Sequence, residues 1–202
     1  MARIKLTKNE LKKQRSDLAR CSRYLPTLEL KKTQLIQEMQ RVQDTIDALE
    51  QEIERVQGEA LPWVGVFAEE VDWPGLLEVV GVEIGQDNVA GIELPVFVRV
   101  EFAVHPYDLR CTPLWVDKGL EIVRAQIGRR AAVQVGHRQR HILGEELRTT
   151  IQRIKLLEEV KIPTARRHIR KIRIFLGDQQ TAAVVRSKIA KAKIDAGKEK
   201  AA

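Results

Sequence analysis

The chain has 202 residues, 44% of them hydrophobic, only 4% aromatic, and a formal net charge of +7. Scarce aromatics argue against a large globular core, and no run of 18 apolar residues could cross a membrane. Cys21 and Cys111 are too few for a disulfide framework, and the charged start lacks the apolar stretch of a secretion signal, so a reducing cytoplasm is the expected compartment.

From Ile4 to Val56 one heptad register holds without interruption. Its first positions are Ile4, Leu11, Leu18, Leu25, Lys32, Met39, Ile46 and Ile53; its second are Thr7, Gln14, Cys21, Leu28, Leu35, Val42, Leu49 and Val56. Thirteen of these sixteen are apolar, Lys32, Thr7 and Gln14 being the exceptions. Such a stripe requires a partner helix along its length. We expect Leu11, Leu18, Leu25, Leu28, Leu35, Met39, Val42, Ile46, Leu49 and Ile53 to form a coiled-coil seam. Lys32 on that seam either sets register or snorkels to water. The helix is predicted from about Thr7 to about Gln57, a span of about 80 Å at 1.5 Å per residue. Pro26 removes one hydrogen bond, but the unbroken phase through Leu25 and Leu28 predicts a bent, continuous helix.

The pattern then changes. From Glu59 to Asp108 there are ten acidic residues against one basic residue, Arg99, so the remainder of the chain carries +16. Val80, Val82 and Ile84 alternate with Gly81 and Glu83; Val98, Val100, Phe102 and Val104 alternate with Arg99, Glu101 and Ala103. Period two predicts half-buried strands, two or three in number, with the turn at Gly85-Gln86-Asp87-Asn88 and Pro95 at a strand edge or start. So few strands make no core alone and must pack on the helices or on another subunit.

Helix is predicted to return at Thr112-Pro113, with threonine as cap and proline in the first turn. Leu143, Leu147, Ile151, Ile154 and Leu157 recur at three or four, and Ile169, Ile172 and Leu176 resume beyond Pro163. This segment exceeds the first helix in length, so one end is expected to project alone or to fold over. Gly119, Gly128, Gly136 and Gly144 each cost up to about 1 kcal/mol inside a helix, and close approach of another backbone would explain them. The fold class is therefore mainly α: an antiparallel two-helix coiled coil of the terminal segments (1–58 and 113–202) with a small β segment (59–112) between.

Catalytic chemistry is absent from the motifs. There is no phosphate-binding G-x-x-x-x-G-K-[ST] loop, no G-x-G-x-x-G, no C-x-x-C and no H-E-x-x-H. His137 and His141 have metal-binding spacing, but Arg138 and Arg140 stand between them, so a solvated basic face is the expected reading; no cofactor or metal is predicted. The densest basic run, Arg166, Arg167, His168, Arg170, Lys171 and Arg173, fits a solvated face, phosphate neutralisation or contact with acidic loops of a protein. Phe175 alone lies near to stack a base, which weakens the nucleic-acid reading.

Several stretches in order resemble the D subunit of V-type and A-type rotary ATPases. They are Arg3-Ile4-Lys5-Leu6-Thr7-Lys8-Asn9-Glu10-Leu11; Leu25-Pro26-Thr27-Leu28 with Lys31, Lys32 and Leu35; Asn88-Val89-Ala90-Gly91-Ile92 with Leu94-Pro95; and Thr150-Ile151-Gln152-Arg153-Ile154-Lys155-Leu156-Leu157-Glu158, closed by Ile162-Pro163. Ile172-Arg173-Ile174-Phe175-Leu176-Gly177-Asp178 is similar to a bacterial branch. The resemblance implies a non-catalytic rotor shaft in the central stalk, on the cytoplasmic face of a membrane complex. It would stand in a ring of A and B subunits, bind the F subunit, and meet a funnel-shaped subunit above the ion-translocating ring. It would couple ATP synthesis or hydrolysis to proton or sodium transport. Family layout and charge together point to Arg3, Lys5, Lys8, Lys188, Lys191 and Lys193 for the ring contact. A basic coiled-coil adaptor or nucleic-acid scaffold is the alternative, but it would not need the acidic β insert.

Overall fold

The computed structural model describes residues 4–60, 62, 65, 71, 73–108 and 112–199. Cys111 and Arg3 lie outside the described residues. In chain order the elements are helix α1 (Lys8–Ala60), a one-turn helix α2 (Trp73–Leu76), strands β1 (Leu77–Val89) and β2 (Ile92–Val104), helix α3 (Val116–Lys155), a π-helical turn (Leu156–Lys161) and helix α4 (Ile162–Glu199). The fold is thus mainly helical, with long N- and C-terminal helices and a two-stranded antiparallel hairpin between them. By compactness the chain falls into two units, Lys31–Thr149 and Met1–Leu30 with Thr150–Ala202.

Both prolines inside the helical segments are absorbed. α1 runs unbroken through Pro26, whose exposed position lets water reach the carbonyl it leaves without a donor. At Pro163 a regular helix would press the ring on the carbonyl of Glu159. The chain instead widens by one π turn just before it, and the Ile162 N–H donates to the Leu157 carbonyl five residues back. Helix therefore continues from Val116 to Glu199.

In the Lys31–Thr149 unit α1 and α3 are antiparallel, because partner numbers fall as those of α1 rise. Lys31 meets Glu146, Gln43 meets Arg140, Glu52 meets Arg129, and the Ile53 carbonyl accepts from Gln126. Leu35, Val42 and Ile46 of α1 and Leu143 of α3 are buried together with Leu94 of β2. The hairpin lies along this pair. Val89, Ala90 and Ile92 at its tip pack near Leu143 and Leu147, while Leu76 and Leu77 at its base pack with Val116 and Leu120. The lengths match: thirteen strand residues rise about 43 Å, and α3 from Val116 to Leu143 rises about 40 Å.

The hairpin departs from its sequence expectation in three ways. Each strand has thirteen residues, longer than the alternating runs suggest; Pro95 lies in β2, which in a two-stranded sheet is an edge strand. The turn is Ala90-Gly91, both at positive φ (52° and 78°), not Gly85–Asn88; two such residues match the twist of the strands. Asn88 Oδ1 accepts from the Gly91 N–H at 3.1 Å. The packing of Ala90 and its neighbours on α1 and α3 favours this site despite alanine's reluctance to enter that region. Finally, the register skips Val80 on β1 and Val98 on β2, one bulge on each strand. These bulges break the simple alternation. Val80, Val82 and Ile84 are exposed, and the covered residues of β1 are Leu77, Gly81, Gly85 and Val89.

α3 starts at Val116, later than Thr112-Pro113. The Thr112 hydroxyl is turned to the Asp108 carbonyl (2.8 Å) and does not cap the helix. Two of the four helical glycines have a packing reason, and in each case the neighbour is a side chain, not a backbone. A Cβ at Gly136 would stand 2.8 Å from Ile46 Cγ1, and one at Gly119 would stand 3.2 Å from the rings of Trp115 and Trp73. At Gly128 and Gly144 nothing lies within 4 Å. We expect Gly128→Ala and Gly144→Ala each to stabilise by about 0.5–1 kcal/mol in thermal denaturation. Gly136→Ala should destabilise by about 1–3 kcal/mol, because buried Ile46, 2.8 Å from the added Cβ, must shift to admit it.

Candidate functional site

No concentration of catalytic groups or metal ligands stands out: among the described residues no three His, Cys, Asp or Glu side chains gather to hold a metal. His137 faces Glu50 at 3.7 Å and His141 faces Glu145 at 4.0 Å, each singly. Among the described residues no helix is long and apolar enough to cross a membrane. What the structure offers is a set of helices with an apolar inner side and a charged outer side.

On α1, Leu35, Val42 and Ile46 are buried, and Leu11, Leu18, Leu25, Leu28, Met39, Leu49 and Ile53 are partly buried. Large apolar residues off that stripe, Tyr24, Leu30 and Ile36, are exposed. Apolar contact is non-directional and tolerates sliding. Axial register in the Lys31–Thr149 unit is set by polar links beside the stripe. Lys31 Nζ donates to Glu146 Oε1 at 3.0 Å, both side chains about 70% covered. The Glu52 carboxylate accepts from Arg55 on its own helix, at 2.7 and 2.8 Å, and from Arg129 of α3 at 3.3 Å. Gln139 Nε2 ties α3 to the hairpin through the Pro95 carbonyl at 2.6 Å. A partly exposed ion pair contributes at most about 1 kcal/mol, so these links direct the packing more than they stabilise it. Heptad positions alone do not reveal them, since partners 115 and 77 residues apart carry no local signal.

The cations singled out in the sequence fall into two groups on different helices. Lys5 and Lys8 are exposed at the start of α1, and Lys188, Lys191 and Lys193 are exposed on α4. Among the residues of α4 whose burial is described, Leu176 and Gly177 are the last partly covered; from Asp178 to Ile194 every residue is exposed. Lys188 stands eleven residues beyond Gly177, about 16 Å along the helix. That end of α4 is nonetheless not uniformly polar: Val184, Val185, Ile189 and Ile194 are each about half exposed. That stretch of α4 thus exposes four large aliphatic residues among lysines. α4 as a whole carries ten lysines and arginines against three carboxylates, which makes that surface cationic.

Residues 10–192 match the model of the family described as the ATP synthase D subunit. A V-type ATP synthase D subunit of Borreliella burgdorferi is 42% identical over 194 residues, covering 96% of both chains. That of Chlamydia felis is 34% identical over 205 residues (98% of this chain, 97% of the relative), and that of Chlamydia pneumoniae 33% identical over 199 (95% and 93%).

The arginines around Glu52 give a pH test. The hydrogen bonds from Arg55, with a smaller contribution from Arg129, hold the Glu52 carboxyl below its ordinary value of 4.5. The folded state thus binds its proton less readily than the unfolded state. The stabilisation is present above about pH 4.5 and is lost as pH falls through the lower folded value. Denaturant midpoints taken from about pH 5 to about pH 3 should therefore drop less steeply for Glu52→Gln than for the unaltered chain. Equal slopes would show that this cluster does not contribute to acid sensitivity.

Proposed function

Since the chain belongs to the family of ATP synthase D subunits, we propose that it is the central rotor shaft of a V-type ATP synthase. In this reading it transmits torque between a nucleotide-handling ring of A and B subunits and the membrane ring that moves protons or sodium. It is not itself catalytic. It works on the cytoplasmic face, with the F subunit on its side and a funnel-shaped subunit below it.

The observation that carries this reading is the end of α4: seventeen consecutive exposed residues, Asp178–Ile194, with apolar and cationic side chains and nothing covering them among the described residues. A shaft needs such an end, because it must enter a bearing. It also needs stiffness without a globular core, which antiparallel helices joined by an apolar stripe supply. Torque must not shear one helix along the other, and the register-setting links Lys31–Glu146 and Arg129–Glu52 resist that movement. Contacts with the ring should be of similar energy at each angular stop. Long, solvated lysines give screened attraction without deep interlock, so Arg3, Lys5, Lys8, Lys188, Lys191 and Lys193 are the proposed ring-facing cations.

Reconstitution with the A/B ring and the F subunit tests this directly. Reversing Lys188, Lys191 and Lys193 to Glu should weaken recovery of the ring or uncouple its ATP hydrolysis from ion transport, while helicity and capture of the F subunit stay unchanged. Full assembly and coupling in the reversed variant would refute the assignment of these lysines; failure of the unaltered chain to join any ring would refute the rotor reading itself.

A further inference from the structure

The basic run Arg166–Arg173 takes no part in the apolar stripe or in the proposed bearing end. In the unit formed by Met1–Leu30 and Thr150–Ala202, α1 and α4 flank a shallow groove of about 710 Å³. Arg15, Arg166, Arg170 and Arg173 line it together with Leu18, Ile169 and Ile174. Arg166, Arg170 and Arg173 recur at four and three residues, which puts them in one line along α4; Arg15 contributes from α1. No carboxylate lines the groove. None of the four arginines is held in an ion pair among the described residues. The nearby acids are engaged elsewhere, Asp17 by Arg20 at 2.7 Å and Glu10 by the Gln14 amide at 2.9 Å. Along α4 no carboxylate precedes Asp178.

Like charges at helical spacing repel, so an unpaired line of arginines lacks a rationale within the chain itself. A merely solvated basic face has no use for exposed apolar side chains, yet Ile174 is 57% exposed beside these guanidinium groups. A nucleic acid would engage the arginines and leave that apolar lining idle, and no aromatic ring lines the groove to stack a base. Planar guanidinium groups pair with carboxylates through two parallel hydrogen bonds, and apolar side chains next to such cations suit an amphipathic helix. We propose that this groove seats an acidic amphipathic helix of a protein partner, apolar stripe on Leu18, Ile169 and Ile174, carboxylates on the four arginines. Arg166 to Ile174 spans about 12 Å, room for about two turns of the incoming helix. The site stands on the groove's own chemistry and does not require the rotor reading.

The test uses the purified full chain and a fluorescent helical peptide of about sixteen residues, leucine on one stripe and glutamate on the other face. Saturable binding should weaken at least about tenfold for Arg170→Glu with Arg173→Glu and for Ile174→Asp. It should also weaken when salt rises from about 50 to about 300 mM. Arg186→Glu, on the bare end of α4, should leave it unchanged. Arg15→Glu acts from the other helix and serves if the α4 variants lose helicity. The proposal is overturned if the peptide does not saturate, or if a scrambled peptide of the same composition binds equally well. It is overturned equally if a thymidine oligonucleotide binds as tightly with no response to Ile174→Asp, an outcome that assigns the groove to polyanions at large.

Discussion

Everything in this molecule depends on the burial of one face of α1. Helical propensity alone cannot keep 53 residues helical in water; an apolar stripe on a second helix has to cover the first. In the Lys31–Thr149 unit that cover is tightest where α3 carries no side chain at all. Gly136 lets Ile46 approach α3 closely, and Leu35, Ile46 and Leu143 are 1% exposed or less. Each buried aliphatic side chain of this kind contributes roughly 1.5–3 kcal/mol. The polar links at either side then select one axial alignment among the several that the apolar stripe would tolerate.

The hairpin follows from the same constraint. Two strands alone are marginal in water, and these survive because their length matches the stretch of α3 they cover. The tip is pinned by Leu94, Val89 and Ile92 and by the Gln139–Pro95 hydrogen bond beside them, and the base by the cluster around Val116 and the tilted Trp73–Trp115 ring pair. A ladder pinned at both ends accommodates the helix surface through its bulges. Val98 lies over Gly85, whose missing side chain makes room for it: a Cβ there would stand 3.3 Å from Val98 Cγ2. Glycines that look like turn residues in sequence thus serve packing inside a strand.

That distinction explains how much was legible beforehand. The heptad register, the helix–hairpin–helix order and the antiparallel return can be read from periodicity, because each is a repeated local signal reinforced over many residues. The continuity of α1 through Pro26 is readable for the same reason. The position of the turn is not. Gly85 to Asn88 has the stronger turn chemistry, but the contest is decided by Val89, Ala90 and Ile92 finding cover on α1 and α3, a matter of tertiary packing. The π turn before Pro163 is likewise invisible to a 3.6-residue pattern, which expects either a helix or a break. Of the candidate surfaces, sequence singles out the cations, and the greater length of the C-terminal segment signals an uncovered end, but neither tells that Arg15 comes to lie across from Arg166, Arg170 and Arg173.

Charge completes the picture. Five carboxylates of the acidic middle segment, Glu78, Glu83, Asp87, Glu93 and Glu101, sit on the hairpin, where Glu83 and Glu101 share Arg99, while α4 carries ten lysines and arginines against three carboxylates. These charges lie off the buried stripe of α1, so their contacts can change without loosening the packing between α1 and its partner helices. A protein that must hold its own helices firmly and its neighbours loosely needs that separation. The inner face does the first by close aliphatic packing around Gly136, and the outer face does the second with solvated charge.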